Sequence, residues 1–322
     1  VTVSINDTTA YHRGERASLG WEQTISECLR DTASPYMEAL KAKKTYGDVV
    51  ADLLEDRSVI ADGFRVLEVG GGYGTLARSL LTRFPSISMT MVDISPLFLD
   101  RQRQALASFG ARARFEEVDV LDYLTACDRF DLIISNEGMG DFPAIIDIPR
   151  EVLIDLVGGS STSIAADGEE PYLVEARDFV RRLDIDLDDA PEVIHLNTGA
   201  ARFIELAMEK SDRLFVAEHS SDWTTPDSMA GFFRDTRTDR WPKKIILFGH
   251  REVTICFGHV KRLLAKTGCS CVGGSVMELL SVRDDPEIRY ILLSGSVQNA
   301  RHELIGEFID HVKEYQWLLV HR

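Results

Sequence analysis

What this chain of 322 residues has little of is positive charge: 36 Lys and Arg stand against 52 Asp and Glu, a formal net charge of -16. Non-specific nucleic-acid binding rests on clustered Lys and Arg that neutralise phosphates, so no nucleic acid is expected as a partner. Cysteine is scarce as well. The five, Cys28, Cys127, Cys256, Cys269 and Cys271, are odd in number and scattered, which argues against a disulfide framework. Cys269 and Cys271 make a C-x-C pair whose thiols would share one face of a strand. A metal or redox role is one reading of that pair and ordinary burial is the other. No second ligand pair stands nearby, so no metal is expected. Long apolar runs are missing too, none reaching the about 18 residues of a membrane span, and no membrane partner is expected. The opening "VTVSINDTTAYHRGERASLG" is polar, unlike a signal peptide. A cytoplasmic, reducing location follows as the default.

What is present suits a globular protein. Hydrophobic residues make up 44% of the chain, enough for a buried core. After the polar opening, residues 21–54 space apolar residues at three and four, with Pro35 and Gly47 as dividers, and predict a helical leader that begins at Trp21. Strand and helix then alternate. "RVLEV", "ISMTMVD", "ARARFEEVD" and "RFDLIISN" read as strands, separated by "GTLARSLLTRF", "SPLFLDRQRQALASFG" and "VLDYLTA" as helices. This rhythm predicts an α/β fold, a Rossmann-like, mostly parallel seven-stranded sheet with helices on both faces. Residues 142–210 break the rhythm and read as an inserted cap, with a Gly/Ser-rich turn at 157–171 and an acidic loop. "RLFVAEHS" resumes as a fifth strand. Residues 221–242 read as a long loop with helical pieces. "KKIILFGHREVTICF" reads as extended, "CSCVGGSVMELL" as starting in a strand, "EIRYILLSG" as a strand and "ARHELIGEFIDHVKEYQWLLV" as one amphipathic helix. The division expected is a leader or lid over 1–60 and a main domain over 61–322.

The informative stretch is "EVGGGYG", Glu68 to Gly74. A glycine cluster where a strand passes into a helix lets the backbone approach a ligand. A P-loop needs Lys after its glycines, and none follows here. A dinucleotide fingerprint needs a third glycine where Thr75 stands, and Gly74 comes one place early. The pattern present is E-x-G-x-G-x-G. A carboxylate repels a pyrophosphate and attracts an ammonium group. S-adenosylmethionine (SAM) carries an amino group and a sulfonium but no phosphate. Glu68 can take the amino group directly or through water, while Gly70, Gly72 and Gly74 pass beneath. Asp93, ending the second strand, can take both ribose hydroxyls, with Ile94 beside it. Asp119, ending the third, can accept from the adenine amine, and the Val120 N–H can serve a ring nitrogen. Asn136 joins this cofactor set. An NAD-binding fold, with Asp93 on the NAD ribose, is the competing reading.

"LEVGGGYG", "VDIS", "VDV" and "DLIISNE" resemble, in order and spacing, the motifs of class I SAM-dependent methyltransferases over residues 66–136. "SNEGMGDFP", with echoes at "TYGDVVADLL", "LNTGAARFIELA" and "HREVTICFGHVKRLLAKTG", is similar to the MidA-like methyltransferases, a group that includes the protein-arginine methyltransferase assisting mitochondrial complex I assembly. Two positions depart. Gly140 stands where that family has Asp, with Asp141 one place on. Glu218, His219 and Ser220 replace its Asp-Tyr-Gly. Both departures fall on the acceptor side.

Three residues are candidates for the chemistry. Glu137 and Asp141 follow the fourth strand, where a carboxylate can hold a cationic acceptor or take its proton; loop hydrogen bonding and helix capping is the other reading. His219, ending the fifth strand, titrates near neutrality and suits a base; a hydrogen-bonded edge histidine is the alternative. His250 and His259 could be ligands of a metal, but nine residues apart and with no obvious third partner they read as core or surface residues. Tyr11 and Tyr46 are placed to close over the cofactor, Tyr73 to reach the cleft or the leader, and Trp21 to pack. The expectation is an enzyme that moves a methyl group from SAM, leaving S-adenosyl-L-homocysteine, to the nitrogen or oxygen of a small metabolite. A protein-arginine acceptor, as the MidA-like resemblance implies, and a non-catalytic SAM-binding assembly factor are the alternatives. A homodimer is one assembly the sequence allows.

Overall fold

The computed structural model describes residues 3–6, 8–14, 24–159, 171–221, 241–247, 250–282, 286–294 and 299–322. Trp21, most of the Gly/Ser-rich turn and most of the loop before Trp241 lie outside them. Seven strands form the main sheet, numbered here within it: β1 (Arg65–Val69), β2 (Ser88–Asp93), β3 (Ala113–Glu117), β4 (Leu132–Asn136), β5 (Arg213–His219), β6 (Ser270–Ser275) and β7 (Tyr315–His321). Their spatial order is β6-β7-β5-β4-β1-β2-β3. β1 to β5 run parallel, and β7 is antiparallel to both its neighbours. The expected α/β, mostly parallel seven-stranded sheet is therefore the fold.

Alternation along the strands builds two cores, one per face. Val66, Ile134, Phe215 and Trp317 pack with the leader helices and the helix Ala300–Val312. Leu67, Ile133, Val216 and Val320 pack on the other face with the helices Pro171–Leu183, Thr198–Lys210 and Phe257–Lys266. Neighbouring residues of one strand thus enter different cores, as a period of two requires. Every residue of β4 is buried, as expected of a central parallel strand.

The sequence reading needs four corrections here. "EIRYILLSG" forms the helix Pro286–Ser294, not a strand. Its buried Ile288 and Ile291 are three apart, and a short apolar run does not by itself separate helix from strand. The final segment is a helix, Ala300–Val312, and then β7. No Gly or Pro marks that stop; the open place between β5 and β6 takes the strand. Gly47 lies inside the helix Tyr46–Asp56 rather than dividing two helices, and a Cβ there would collide with Ser79 of the helix Thr75–Arg83. The polar opening, which reads as an arm or loop, carries regular structure: Ser4–Ile5 pairs with Ile145–Pro149, which in turn pairs with Val193–Leu196, and Thr8–His12 is a short helix.

Candidate active site

The chain runs outward from β1 to β2 and β3, then returns to β4 on the other side of β1. A crevice opens beyond the carboxyl ends of the strands at such a reversal. The cleft found there is lined by Gly70, Gly72, Asp93, Ile94, Asp119, Val120, Glu137 and Asp141, together with Thr9, His12, Phe98, Phe142 and Pro143.

The glycine loop is shaped by its backbone. Gly70, Gly72 and Gly74 have φ of 64°, 52° and 80°, in the left-handed region that disfavours a Cβ. Gly74 is the N-cap of the helix Thr75–Arg83. At Gly71 a Cβ would run into Met91 and lie 3.3 Å from the Glu68 carboxyl carbon. The loop therefore crosses directly over Glu68. That carboxyl is 1% exposed, and its Oε2 is buried without a hydrogen-bond partner. Desolvation raises its pKa to about 8. A buried acid left unsatisfied beneath a glycine turn is what an incoming ammonium would complete.

Asp93 is fixed by three elements. Its Oδ1 accepts from the Ser95 N–H at 2.9 Å and its Oδ2 from the Gln102 amide at 3.1 Å. The same amide donates to the Gly72 carbonyl at 3.1 Å, tying strand end to glycine loop. Burial raises the Asp93 pKa to about 6, against these hydrogen bonds and the nearby His12, which lower it. Asp119 caps the helix Val120–Ala126 by accepting from the Leu121 N–H at 2.9 Å.

Glu137 has φ of 56° and ties down the leader. Its carboxylate accepts from the Ile25 N–H at 2.6 Å, the Ser26 N–H at 3.0 Å and the Asn136 amide at 3.0 Å. Desolvation raises its pKa although these bonds oppose the rise. The Tyr46 hydroxyl donates to Asn136 Oδ1. Asn136 thus joins leader and β4 and does not line the cleft. Thr75 donates to Glu27, a further bond between the leader and the site. Glu137 borders the cleft, but its oxygens are engaged by the leader and by Asn136 rather than by the next helix.

His219 does not line the cleft. It lies 2.7 Å from Glu314 and stacks on Tyr315 with ring centroids 5.2 Å apart. Strand alternation turns Glu218 the other way, to the loop after β4, where its Oε2 accepts from the N–H groups of Met139 (2.7 Å) and Gly140 (3.2 Å). Burial raises the Glu218 pKa to about 8. Glu218 therefore shapes the loop after β4, a role sequence reasoning missed.

Asp141 is the meeting point of distant segments. His12 Nε2 is 3.1 Å and His250 Nε2 3.9 Å from its Oδ1. His250 also bonds Glu252 at 2.8 Å and stacks on Tyr11 at 4.1 Å between ring centroids. His259 sits instead between Phe179 and Trp241, and Tyr73 packs on Phe98. Cys269 and Cys271 are partly buried, and Cys269 packs near Thr267. The sequence offered no sign of His12, since nothing in its spacing links it to Asp141.

Residues 66–153 match a family model described as a methyltransferase domain. The release factor glutamine methyltransferase of Koribacter versatilis is 30% identical over half of this chain and 52% of its own length. The ribosomal RNA small subunit methyltransferase C of Actinobacillus pleuropneumoniae serotype 7 is 31% identical over 34% of each chain. The chain thus spans about a third to about half the length of these curated relatives. Among solved structures, an uncharacterized ACR superfamily protein from Burkholderia thailandensis shares the fold, with TM-score 0.53 and 16% identity over 98% of this chain and 91% of that one. No helix among the described residues is long and apolar enough to cross a membrane.

Proposed function

We propose, for a chain that carries a class I SAM-dependent methyltransferase domain, that it transfers the methyl group of SAM to a nitrogen or oxygen of a small metabolite. The observation that carries the reading is Glu68, a buried carboxyl with an unsatisfied oxygen under a glycine loop, with Asp93 and Asp119 lining the cleft at the next two strand ends. Bound SAM supplies a methyl group already activated on sulfonium sulfur.

The chain's own residues do the rest. Glu68 would hold the amino end, losing its proton as the ammonium arrives. Asp93, pre-set by Ser95 and Gln102, would accept from the ribose hydroxyls. Asp119 and the Val120 N–H would read the adenine edge, and the Phe98 ring would shield the cleft from water. In-line displacement needs alignment first, which fixed backbone at the strand ends provides. Thr9, His12, Asp141, Phe142 and Pro143 form the rest of the wall and are left for the acceptor. Their mixed apolar and acidic character suits a compact acceptor with a polar group. The relatives named for RNA and for a release factor widen the acceptor classes to be tested, but the net charge of -16 disfavours RNA. Soluble use in the cytoplasm is part of the same reading.

The test is transfer of labelled methyl from SAM to a metabolite extract and to a protein extract, separated by size. The reading expects label in the small-molecule fraction with the unaltered chain and none with Asp93→Ala. Label in protein, on arginine, would replace it with the protein-arginine reading. Tight S-adenosylhomocysteine binding with no transfer to either extract would favour a non-catalytic assembly factor.

A further inference from the structure

We propose that His12, Asp141 and His250 form a divalent transition-metal site at the wall of the cleft, with Glu252 beside it. The three donor atoms lie within 4.8 Å of one another, the one such group of three among the described residues. Donors on one tetrahedral zinc stand about 3.3 Å apart, from metal–ligand bonds of about 2.0–2.2 Å. The Asp141 oxygen stands 3.1 Å from one imidazole and 3.9 Å from the other, so small side-chain shifts complete the set. Two imidazoles and a carboxylate are the donors that zinc, cobalt and iron favour, with further positions left for a ligand.

A second observation points to a missing partner. His12 is 8% exposed, yet its Nε2 and the Asp141 Oδ1 opposite are both buried without a hydrogen-bond partner. They stand 3.1 Å apart without the alignment of a donor and an acceptor, and a cation between them would engage both. His250, 5% exposed, is held in plane by the Tyr11 stack and lies 2.8 Å from Glu252. Asp141 and Glu252 both face His250 Nε2, at 3.9 Å and 2.8 Å, and a dication would offset the charge of these carboxylates.

His12 and Asp141 line the cleft, so a ligand in the ion's open position lies within it. The ion would therefore hold an oxygen or nitrogen of the acceptor and lower the pKa of a bound hydroxyl. That role, though not the binding itself, rests on the methyl-transfer reading.

The experiment titrates Co²⁺ and Zn²⁺ into the full chain after chelator treatment, following visible Co²⁺ absorption and metal content after dialysis. One ion per chain is expected. His250→Ala and Asp141→Asn should each weaken uptake by about tenfold or more. Cys269→Ser with Cys271→Ser should leave it unchanged. Folding of each variant is checked by circular dichroism, with His12→Gln replacing any that fails. Less than one ion per chain overturns the site, as does uptake indifferent to His250→Ala or lost with the cysteine pair. S-adenosylhomocysteine binding, measured on the same samples, separates the two readings. Uptake without cofactor binding upholds the ion site and sinks the methyl-transfer reading. Cofactor binding without uptake does the reverse.

Discussion

The two halves of the cleft are built in different ways. The half proposed for the cofactor comes from three consecutive strand ends, each with its acid at or beside the turn: Glu68, Asp93 and Asp119. Its stabilising bonds include short-range ones, such as Ser95 and Gln102 on Asp93, and the Gln102 bond to the Gly72 carbonyl ties neighbouring βα units together. The acceptor half is assembled from the helix Thr8–His12, the loop after β4 and the pair of strands Lys244–Leu247 and His250–Val253. Asn6 stitches it together. Its side chain donates to Thr8 and to the Phe142 and Arg251 carbonyls, and accepts from the Ala144 N–H. One half can be read from a local motif, and the other exists only once the fold has closed.

The sharpest way to test that contrast is Asp93→Ala. It removes the ribose acceptor and frees the Gln102 clamp on the glycine loop. S-adenosylhomocysteine affinity should fall by about a hundredfold, the scale of losing hydrogen bonds to a charged group, as read by calorimetry. A change below threefold would mean the strand-end acids do not define the cofactor half.

Glu68→Gln should weaken cofactor binding by about tenfold while changing how stability depends on pH. Glu68 keeps its proton in the fold up to about pH 8 but loses it near 4.5 when unfolded. The native state therefore binds more protons between those values, and stability falls as pH rises through them. Asp93 contributes in the same direction from 3.8 to about 6, and Glu218 from 4.5 to about 8. The melting temperature of the ligand-free chain should drop from pH 5 to pH 8, and drop less in Glu68→Gln. An equal drop in both would remove Glu68 as a source.

Asn6→Ala aims at the other half. Methyl transfer should fall by about tenfold while S-adenosylhomocysteine affinity stays within about twofold, because four bonds of the acceptor wall are lost and none of the cofactor wall. Equal loss of both would show that the halves are coupled. The smallest effect is expected from His219→Gln. Its side chain meets Glu314 and Tyr315 rather than the cleft, so transfer and its pH profile should be unchanged within about twofold. A lost alkaline or acid limb would restore His219 as the base.

The same contrast explains what the sequence revealed. The glycine turn and the acids after β2 and β3 were legible because strand, turn and helix follow one another within a few residues. Glu218 was hidden because its neighbour His219 carried the more suggestive chemistry, and one step along a strand changes the face. His12 was hidden, and His250 lacked visible partners, because nothing local pairs them. Glu137 was recognised as important, yet its partners, the Ile25 and Ser26 N–H groups, belong to a leader whose docking no motif records. β7 was hidden because its place depends on β5 and β6, which stand far off in sequence.

One titration bears most directly on the cofactor half: S-adenosylhomocysteine into the unaltered chain at pH 7, in two buffers of different ionisation enthalpy, with NADH as the comparison. Saturable one-to-one binding is expected, with heats that differ between buffers because Glu68 gives up its proton to meet the ammonium, and no heat from NADH. Binding of NADH with none of S-adenosylhomocysteine would contradict the account.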